Sequence, residues 1–332
     1  GAAVVLRHVS MLIEQGHDAF IISLSNEGSI EWFGNPAIRV YRLDELSRCG
    51  ADNIDLLFAT FWTTVDWLER IPARRKLYFV QSDERLFYEE DAVKAQVAAT
   101  YQGSHEYVAI AQWICNMLRN EYGQKAVHYV PNGLDQEMFY PDSPLQEKNP
   151  ERPRVLIEGP ISVPFKGMAE AYEAIKDLDC EIWIVSSSGR PEAHWRYDRF
   201  FQSVNHAEMR HIYSSCDILL KMSRVESFAY PPLEAMACGC AVVLGEVKGG
   251  VEYAEDNVNL LKVEAGSVDQ ARQAVARLMA DESLRKRLQL AGYETVRNWS
   301  WEASSEAMAA VLSADDDKVA PGAAVEVRNT VA

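Results

Sequence analysis

The sequence lacks the features that mark membrane-spanning proteins, nucleic-acid-binding proteins and P-loop proteins. Its apolar runs are too short to span a bilayer, so no transmembrane helix is expected. Lys and Arg total 33 against 49 Asp and Glu, a formal net charge of −16, which argues against nucleic acid as the main ligand. No stretch has the G-x-x-x-x-G-K-[ST] spacing of a P-loop.

Metal-ligand patterns are also scarce. The six cysteines lie mostly among apolar neighbours, which is typical of reduced core thiols and predicts a cytoplasmic protein. Cys238 and Cys240 are the only close pair, and no second Cys/His pair accompanies them. No D-x-D motif follows a predicted strand, and Asp315–Asp317 lie in the tail. We therefore predict no metal site.

The chain length and periodicity predict two α/β domains. Of the 332 residues, 48% are hydrophobic and 25% charged, as in globular proteins. Short apolar strands alternate with helices, which is typical of a parallel, doubly wound sheet. A linker rich in Pro and charge precedes the strand RVLIEG. We place the domains at 1–150 and 151–298, a terminal helix at 299–313 and a disordered tail at 314–332.

The chain opens with an amphipathic helix that follows Gly1 directly. A parallel α/β domain normally begins with a strand, so we expect the first strand of this domain to be missing from the sequence.

The most informative stretch is RVESFAYPPLEAMACGCAVV, residues 224–243. Pro231 and Pro232 suit the first turn of a helix, and Gly239 is well placed to close it. Glu234 lies in that first turn, and Glu226 lies in the loop before it. A favourable charge at a helix N-terminus would explain Glu234 alone. Two carboxylates around free N–H groups instead suggest a ligand that combines phosphate with vicinal hydroxyls, as a nucleotide sugar does.

This stretch resembles the E-x7-E signature of glycosyltransferase family 4, through Glu226, Phe228, Pro232, Glu234 and Gly239. The resemblance extends over about residues 1–312, and it implies retaining enzymes with two Rossmann-like domains facing across a cleft. It implies that Glu226 holds sugar hydroxyls and Glu234 the ribose.

The resemblance also implies further donor contacts. Lys166, in the loop after RVLIEG, is similar to the family's donor-phosphate lysine. The remaining donor-side candidates are Arg224, Lys221, Ser227, Phe228, Ala229, Tyr230, Ser187, Val204 and Gly1. Ser187 and Val204 would lie near the nucleobase, and Gly1 looks like the tail of a glycine-rich turn.

Two positions depart from the family pattern. Pro160 stands after Gly159 where many relatives carry Arg, so another cation such as Arg224 or Lys221 would replace it. Many relatives also place a His after the strand that ends at Gln81. Asp83 is our candidate for a catalytic residue there, with a solvated loop as the alternative.

A basic cluster stands out from the acidic background: Arg70, Arg74, Arg75 and Lys76. It could contact anionic lipid at a membrane surface, and a solvated turn is the alternative.

The resemblance implies transfer of a hexose from a nucleoside diphosphate sugar to a glycan or lipid-linked hydroxyl, with retention and without a cofactor. It favours synthesis of bacterial surface polysaccharides, including rhamnosyl transfer. The alternatives are a nucleotide-sugar epimerase or phosphorylase and a non-catalytic binding or scaffold protein.

Overall fold

The structure is a computed structural model, and it describes residues 1–24, 30, 33–48 and 54–314. Strands and helices alternate through the N-terminal part. Its elements are α1 (Ala2–Glu14), β1 (Phe20–Ser23), β2 (Arg39–Arg42), β3 (Leu56–Ala59), α2 (Asp66–Arg70), β4 (Arg75–Val80), α3 (Asp91–Thr100), β5 (Glu106–Ala109), α4 (Gln112–Tyr122) and β6 (Val127–Tyr129).

These strands form two parallel sheets. β1 pairs with β2, and the larger sheet has the order β3-β4-β5-β6. Leu77, Tyr78 and Val80 of β4 are fully buried. Such burial on both faces explains why β4 reads as an apolar run rather than an alternating one. The first strand expected before Gly1 stays a prediction.

The C-terminal part contributes a six-stranded sheet. Its elements are β7 (Arg154–Glu158), α5 (Met168–Ile175), β8 (Glu181–Ser186), β9 (Arg199–Gln202), α6 (His206–Ser215), β10 (Ile218–Lys221), α7 (Tyr230–Ala237), β11 (Ala241–Gly245), β12 (Leu261–Val263), α8 (Val268–Ala280), α9 (Glu282–Val296) and α10 (Trp301–Ser313).

All neighbouring strands of this sheet are parallel, in the order β12-β11-β10-β7-β8-β9. Ile218 and Leu220 of β10 belong to one apolar cluster, and Leu219 belongs to the other. Alternate residues therefore face opposite sides of the sheet, and both sides are covered. The predicted parallel, doubly wound α/β fold is confirmed.

The terminal helix α10 packs on the N-terminal part of the chain. The Trp301 ring lies edge-on to His8 of α1, with ring centroids 5.8 Å apart. At the other end of α10, the Arg75 guanidinium donates to the carbonyls of Val311 at 2.9 Å and Ala314 at 3.0 Å. Arg75 thus supplies donors to carbonyls that the end of a helix leaves without intrahelical partners.

This contact separates Arg75 from the rest of the basic cluster. Arg75 is buried and forms an ion pair with Glu106, with an Nε to Oε1 distance of 2.8 Å. Arg74 pairs with Asp55, Lys76 pairs with Glu69, and Arg70 lies over the Trp67 ring. Arg75 therefore stabilises the fold, and a contact of the other three residues with anionic lipid stays a prediction.

Two further expectations concern the membrane and the tail. Among the helices that the structure describes, none combines the length and hydrophobicity needed to cross a bilayer. The predicted disordered tail lies, from residue 315 onward, outside the described residues.

Candidate active site

The strand order of the C-terminal sheet reverses between β7 and β10, which are neighbours although β8 and β9 separate them in the chain. Ligands of open α/β sheets bind at such a reversal, outside the carboxyl ends of the strands. Glu158 ends β7 and Lys221 ends β10. The loops after these two strands carry Lys166 and Glu226, so the topology brings together the residues that the sequence singled out.

Four charged side chains of alternating sign lie at this reversal of strand order: Lys166, Glu226, Lys221 and Glu158. The Lys166 ammonium is 2.9 Å from Oε1 of Glu226, and the Lys221 ammonium is 4.0 Å from the same oxygen. Lys221 also binds Oε2 of Glu158 at 2.7 Å. Side-chain exposure is 22% for Lys166 and 11% for Glu226. The Lys166–Glu226 pair is therefore accessible to a ligand. Two ammonium groups, those of Lys166 and Lys221, lie beside the Glu226 carboxylate.

Lys221 is placed differently from our prediction. Its side chain is only 3% exposed, and its ammonium donates to both the carbonyl and the carboxylate of Glu158. Burial by itself lowers the pKa of Lys221, but Glu158 and Glu226 outweigh it and raise the pKa above its ordinary value. This engagement with Glu158 disfavours a direct phosphate contact, and the predicted donor contact of Lys221 stays a prediction.

Sequence reasoning missed Glu158, although it is a carboxylate at the end of a buried strand. Its role depends on Lys221, which is 63 residues later in the chain. Only the pairing of β7 with β10 makes them neighbours. The strand-end position was the available signal.

Arg224 lies at the outer edge of the same region. Its guanidinium forms an ion pair with Glu170 of α5, and its side chain is 47% exposed. The Arg224 N–H donates to the Phe165 carbonyl at 2.7 Å, which links the two loops that carry Lys166 and Glu226. Its predicted contact with a donor phosphate stays a prediction.

Pro231 and Pro232 follow Tyr230 at the start of α7, as expected, but the prediction that Glu234 lies in the first turn is wrong. Glu234 is the fifth residue of the helix, one turn further in, and it is buried. Its Oε1 lies 2.9 Å from Nε2 of His206, and its Oε2 accepts a hydrogen bond from the Tyr213 hydroxyl at 3.1 Å. The hydrogen bond to Glu234 raises the pKa of His206, against the effect of burial.

His206 remains largely exposed although it contacts Glu234. Its side chain is 63% exposed, so it can turn away from Glu234 at little desolvation cost. A ribose that hydrogen-bonds Glu234 would compete with His206 for Oε1. Sequence reasoning missed this contact because 28 residues separate His206 from Glu234.

The loop 227–230 is held by the backbone around it. Phe228 and Ala229 are buried, and the Ala229 N–H donates to the Gly249 carbonyl at 3.4 Å. The Tyr230 hydroxyl donates to the Gly133 carbonyl at 3.2 Å. The Phe228 and Ala229 side chains therefore contribute to packing, and their donor contacts, like those of Ser227 and Tyr230, stay predictions.

Ser187 and Val204, the predicted nucleobase neighbours, follow β8 and β9 at the same edge of the sheet. Ser187 is exposed and Val204 is half-buried, and the Ser203 hydroxyl donates to the Ser187 carbonyl at 3.3 Å. Their contact with a nucleobase stays a prediction.

The two candidate residues in the N-terminal part are Asp83 and Gly1. Both carboxylate oxygens of Asp83 bind the Arg85 guanidinium, at 2.7 and 2.8 Å, and Oδ1 also accepts from the Arg85 N–H. Asp83 is buried and caps a 3-10 turn, an arrangement that disfavours the predicted catalytic role. Gly1 lies beside Gln81, whose amide nitrogen would be 3.5 Å from a Cβ at that position.

Residues 199–295 match the family described as glycosyl transferases group 1. Over these 97 residues the chain is similar to that family. The matched segment contains Glu226 and Glu234, whereas Lys166 lies before it.

Solved structures share the fold over nearly the whole chain. Sucrose-phosphate synthase from Thermosynechococcus elongatus has a TM-score of 0.78 at 18% identity, over 92% of this chain and 91% of that one. HepE from Anabaena, solved with UDP and glucose, has a TM-score of 0.74 at 13% identity, over 95% and 96%. The architecture is therefore GT-B, with two Rossmann-like domains.

Curated glycosyltransferases are similar over a shorter range. The D-inositol 3-phosphate glycosyltransferase of Xylanimonas cellulosilytica is 26% identical over 208 residues, which are 55% of this chain and 50% of that protein. The chain spans about half the length of the curated relatives it matches.

Proposed function

We propose that this protein transfers a hexose from a nucleoside diphosphate sugar to a hydroxyl acceptor. The observation that carries the proposal is the accessible Lys166–Glu226 pair at the sheet reversal, in the loops that follow β7 and β10. Glu234 lies in α7, the helix that follows the Glu226 loop. An ammonium suits a diphosphate, and carboxylates suit sugar and ribose hydroxyls. The match to glycosyl transferases group 1 supports the same reaction class.

In the proposed reaction, bond breaking leaves positive charge on the sugar and negative charge on the departing diphosphate. In the free protein the Lys166 ammonium lies 2.9 Å from Glu226. A bound donor would present its phosphates to Lys166 and its hydroxyls to Glu226, between the two groups. Lys221 would keep Glu226 oriented from its buried side.

Retention at the anomeric carbon and independence of metal are further parts of the proposal. They rest on the family resemblance, as do the absence of a cofactor and the glycan or lipid-linked acceptor of a surface polysaccharide.

The test is a calorimetric screen of UDP, GDP and dTDP sugars, dTDP-rhamnose included, with sugar release measured in parallel. We expect selective binding of one donor and slow hydrolysis of it in the presence of EDTA. Anomeric coupling constants of the product, read by NMR before mutarotation, test retention. Failure of the folded protein to bind any donor would contradict the proposal.

Lys166→Ala isolates the diphosphate contact. We expect turnover to fall by about 100- to 1000-fold, because loss of one preorganised donor to developing negative charge costs ~3–4 kcal/mol. Lys176→Ala is the matched control, since Lys176 follows α5 and pairs with Glu173 on the surface. Equal turnover in the two variants would remove Lys166 from the mechanism.

The second candidate is a non-catalytic nucleotide-sugar-binding protein of the same fold. One observation favours it, namely that Asp83 is fully engaged by Arg85. Tight donor binding with neither hydrolysis nor transfer, across a panel of glycan acceptors, would select it.

A further inference from the structure

The loop 248–252 lies directly against the backbone of Glu226. The Gly249 N–H donates to the Glu226 carbonyl at 3.0 Å, and the Gly249 carbonyl accepts from Ala229. A Cβ at Gly249 would be 2.6 Å from the Glu226 carbonyl oxygen. Only glycine allows so close an approach, and the position of this loop therefore determines where the Glu226 backbone sits.

The same loop binds the N-terminal domain through Glu252. Its Oε1 accepts hydrogen bonds from the N–H groups of Gln112, at 2.8 Å, and Trp113, at 3.4 Å. Its Oε2 accepts from the Tyr129 hydroxyl at 3.0 Å. We call these three bonds the Glu252 contact.

The Glu252 contact is favourable for a physical reason. Gln112 and Trp113 are the first two residues of α4, where N–H groups have no intrahelical partner and the helix dipole is positive. Burial raises the pKa of Glu252, and its three donors act in the opposite direction. Glu252 is half-buried, and these three bonds of its carboxylate all go to the other domain.

Trp113 makes a second bond across the domain boundary. Its indole N–H donates to the Ser227 carbonyl at 3.0 Å, next to Glu226. The Lys248 ammonium lies over the Trp113 ring, 5.4 Å from its centroid. The start of α4 is thus joined to both segments that hold the Glu226 backbone.

We propose that Glu252 is an interdomain positioning residue, which couples the start of α4 to the backbone of Glu226. Displacement of α4 would move the loop 248–252 and, through Gly249, the Glu226 loop. The N-terminal domain would thereby control the geometry of the site across the cleft.

Hydrogen exchange without ligand tests this coupling directly. We expect Glu252→Ala to accelerate exchange in residues 112–122 and also in residues 224–233, by at least ~5-fold, the lower end of typical coupling between sites. Glu252→Gln keeps one acceptor oxygen and should give an intermediate effect. It provides the same test if Glu252→Ala does not fold. Glu255→Ala, in the same segment but exposed, is the matched control.

The exchange pattern decides the outcome. Acceleration in 112–122 alone, with 224–233 unchanged, would reduce Glu252 to a helix cap and overturn the proposal. Trp113→Phe removes the indole N–H but leaves the Glu252 contact in place, so it should accelerate exchange in 224–233 more than in 112–122. Equal and small effects of Glu252→Ala and Glu255→Ala would also overturn it.

A kinetic measurement, which rests on the proposed function, extends the test. With a donor identified, Glu252→Ala should lower kcat more than it raises KM, because the donor-binding groups remain but Glu226 is misplaced. A rise in KM with kcat unchanged, or no change in either, would contradict coupling to the site. If no donor is found, the exchange experiment still decides the role of Glu252 independently of the transferase assignment.

Discussion

Glu84 is buried in the N-terminal domain, and we expect its ionisation to control how stability depends on pH. Its side chain follows β4, and Oε2 accepts hydrogen bonds from the Tyr78 hydroxyl and the Trp62 N–H, each at 2.8 Å. Burial raises the pKa of Glu84 from 4.5 to about 7; these two hydrogen bonds act to lower it, and the neighbouring Asp83 raises it further.

The magnitude follows from the two pKa values. Each pH unit between them is worth about 1.4 kcal/mol, so ionising Glu84 in the folded protein costs about 3 kcal/mol more than in the unfolded chain. The folded state binds the proton more tightly. The protonated Glu84 carboxyl therefore stabilises the folded state fully below pH 4.5, and this stabilisation is lost as the pH rises through 7.

Glu84→Gln provides the measurement. Urea unfolding of the wild type and the variant is compared at pH 4.5, 6 and 8. We expect the free energy of unfolding of the variant, relative to the wild type, to increase by about 3 kcal/mol from pH 4.5 to pH 8. Any fixed cost of the amide cancels, because only the pH dependence of the difference is used.

Glu89→Gln, at an exposed position nearby, controls for removal of a carboxylate from this segment. A difference between Glu84→Gln and the wild type that stays constant from pH 4.5 to 8 would refute the reasoning. It would mean that the interior around Glu84 accommodates the charge as well as water does.

Two further predictions concern other buried contacts. Arg75→Ala should lower the free energy of unfolding by about 3–5 kcal/mol, because it leaves Glu106 without its guanidinium partner and α10 without its donors; urea unfolding measures this. In the wild type, donor affinity should decline as the pH falls from 8 to 6, because protonated His206 competes with ribose for Glu234. His206→Ala should abolish this decline, and calorimetry at both pH values measures it.

Each has a control and an opposing result. Arg74→Ala removes an exposed pair with Asp55 and should change stability by no more than about 0.5 kcal/mol. An Arg75→Ala variant as stable as Arg74→Ala would show that the buried pair contributes little. For His206, the comparison is His211→Ala; a pH dependence that persists without His206 would exclude competition at Glu234.

Local patterns in the sequence were sufficient for the elements and for part of the site. Strand and helix periodicity arises from neighbours along the chain, so the parallel α/β fold could be predicted without coordinates. Lys166, Glu226 and Glu234 each stand at a strand end or helix start, where side chains and N–H groups are available to a ligand. The order of β7 and β10 explains why Lys166 and Glu226 lie close together.

Only the tertiary structure decided which charges are free to act. Lys221 is held by Glu158, Asp83 by Arg85, and Arg75 by Glu106. The second partner in such a pair can be distant in sequence, and its effect depends on burial, which residue type alone does not reveal. The same reason applies to Glu252: a carboxylate becomes an interdomain contact only when folding places it against the start of a helix 140 residues away.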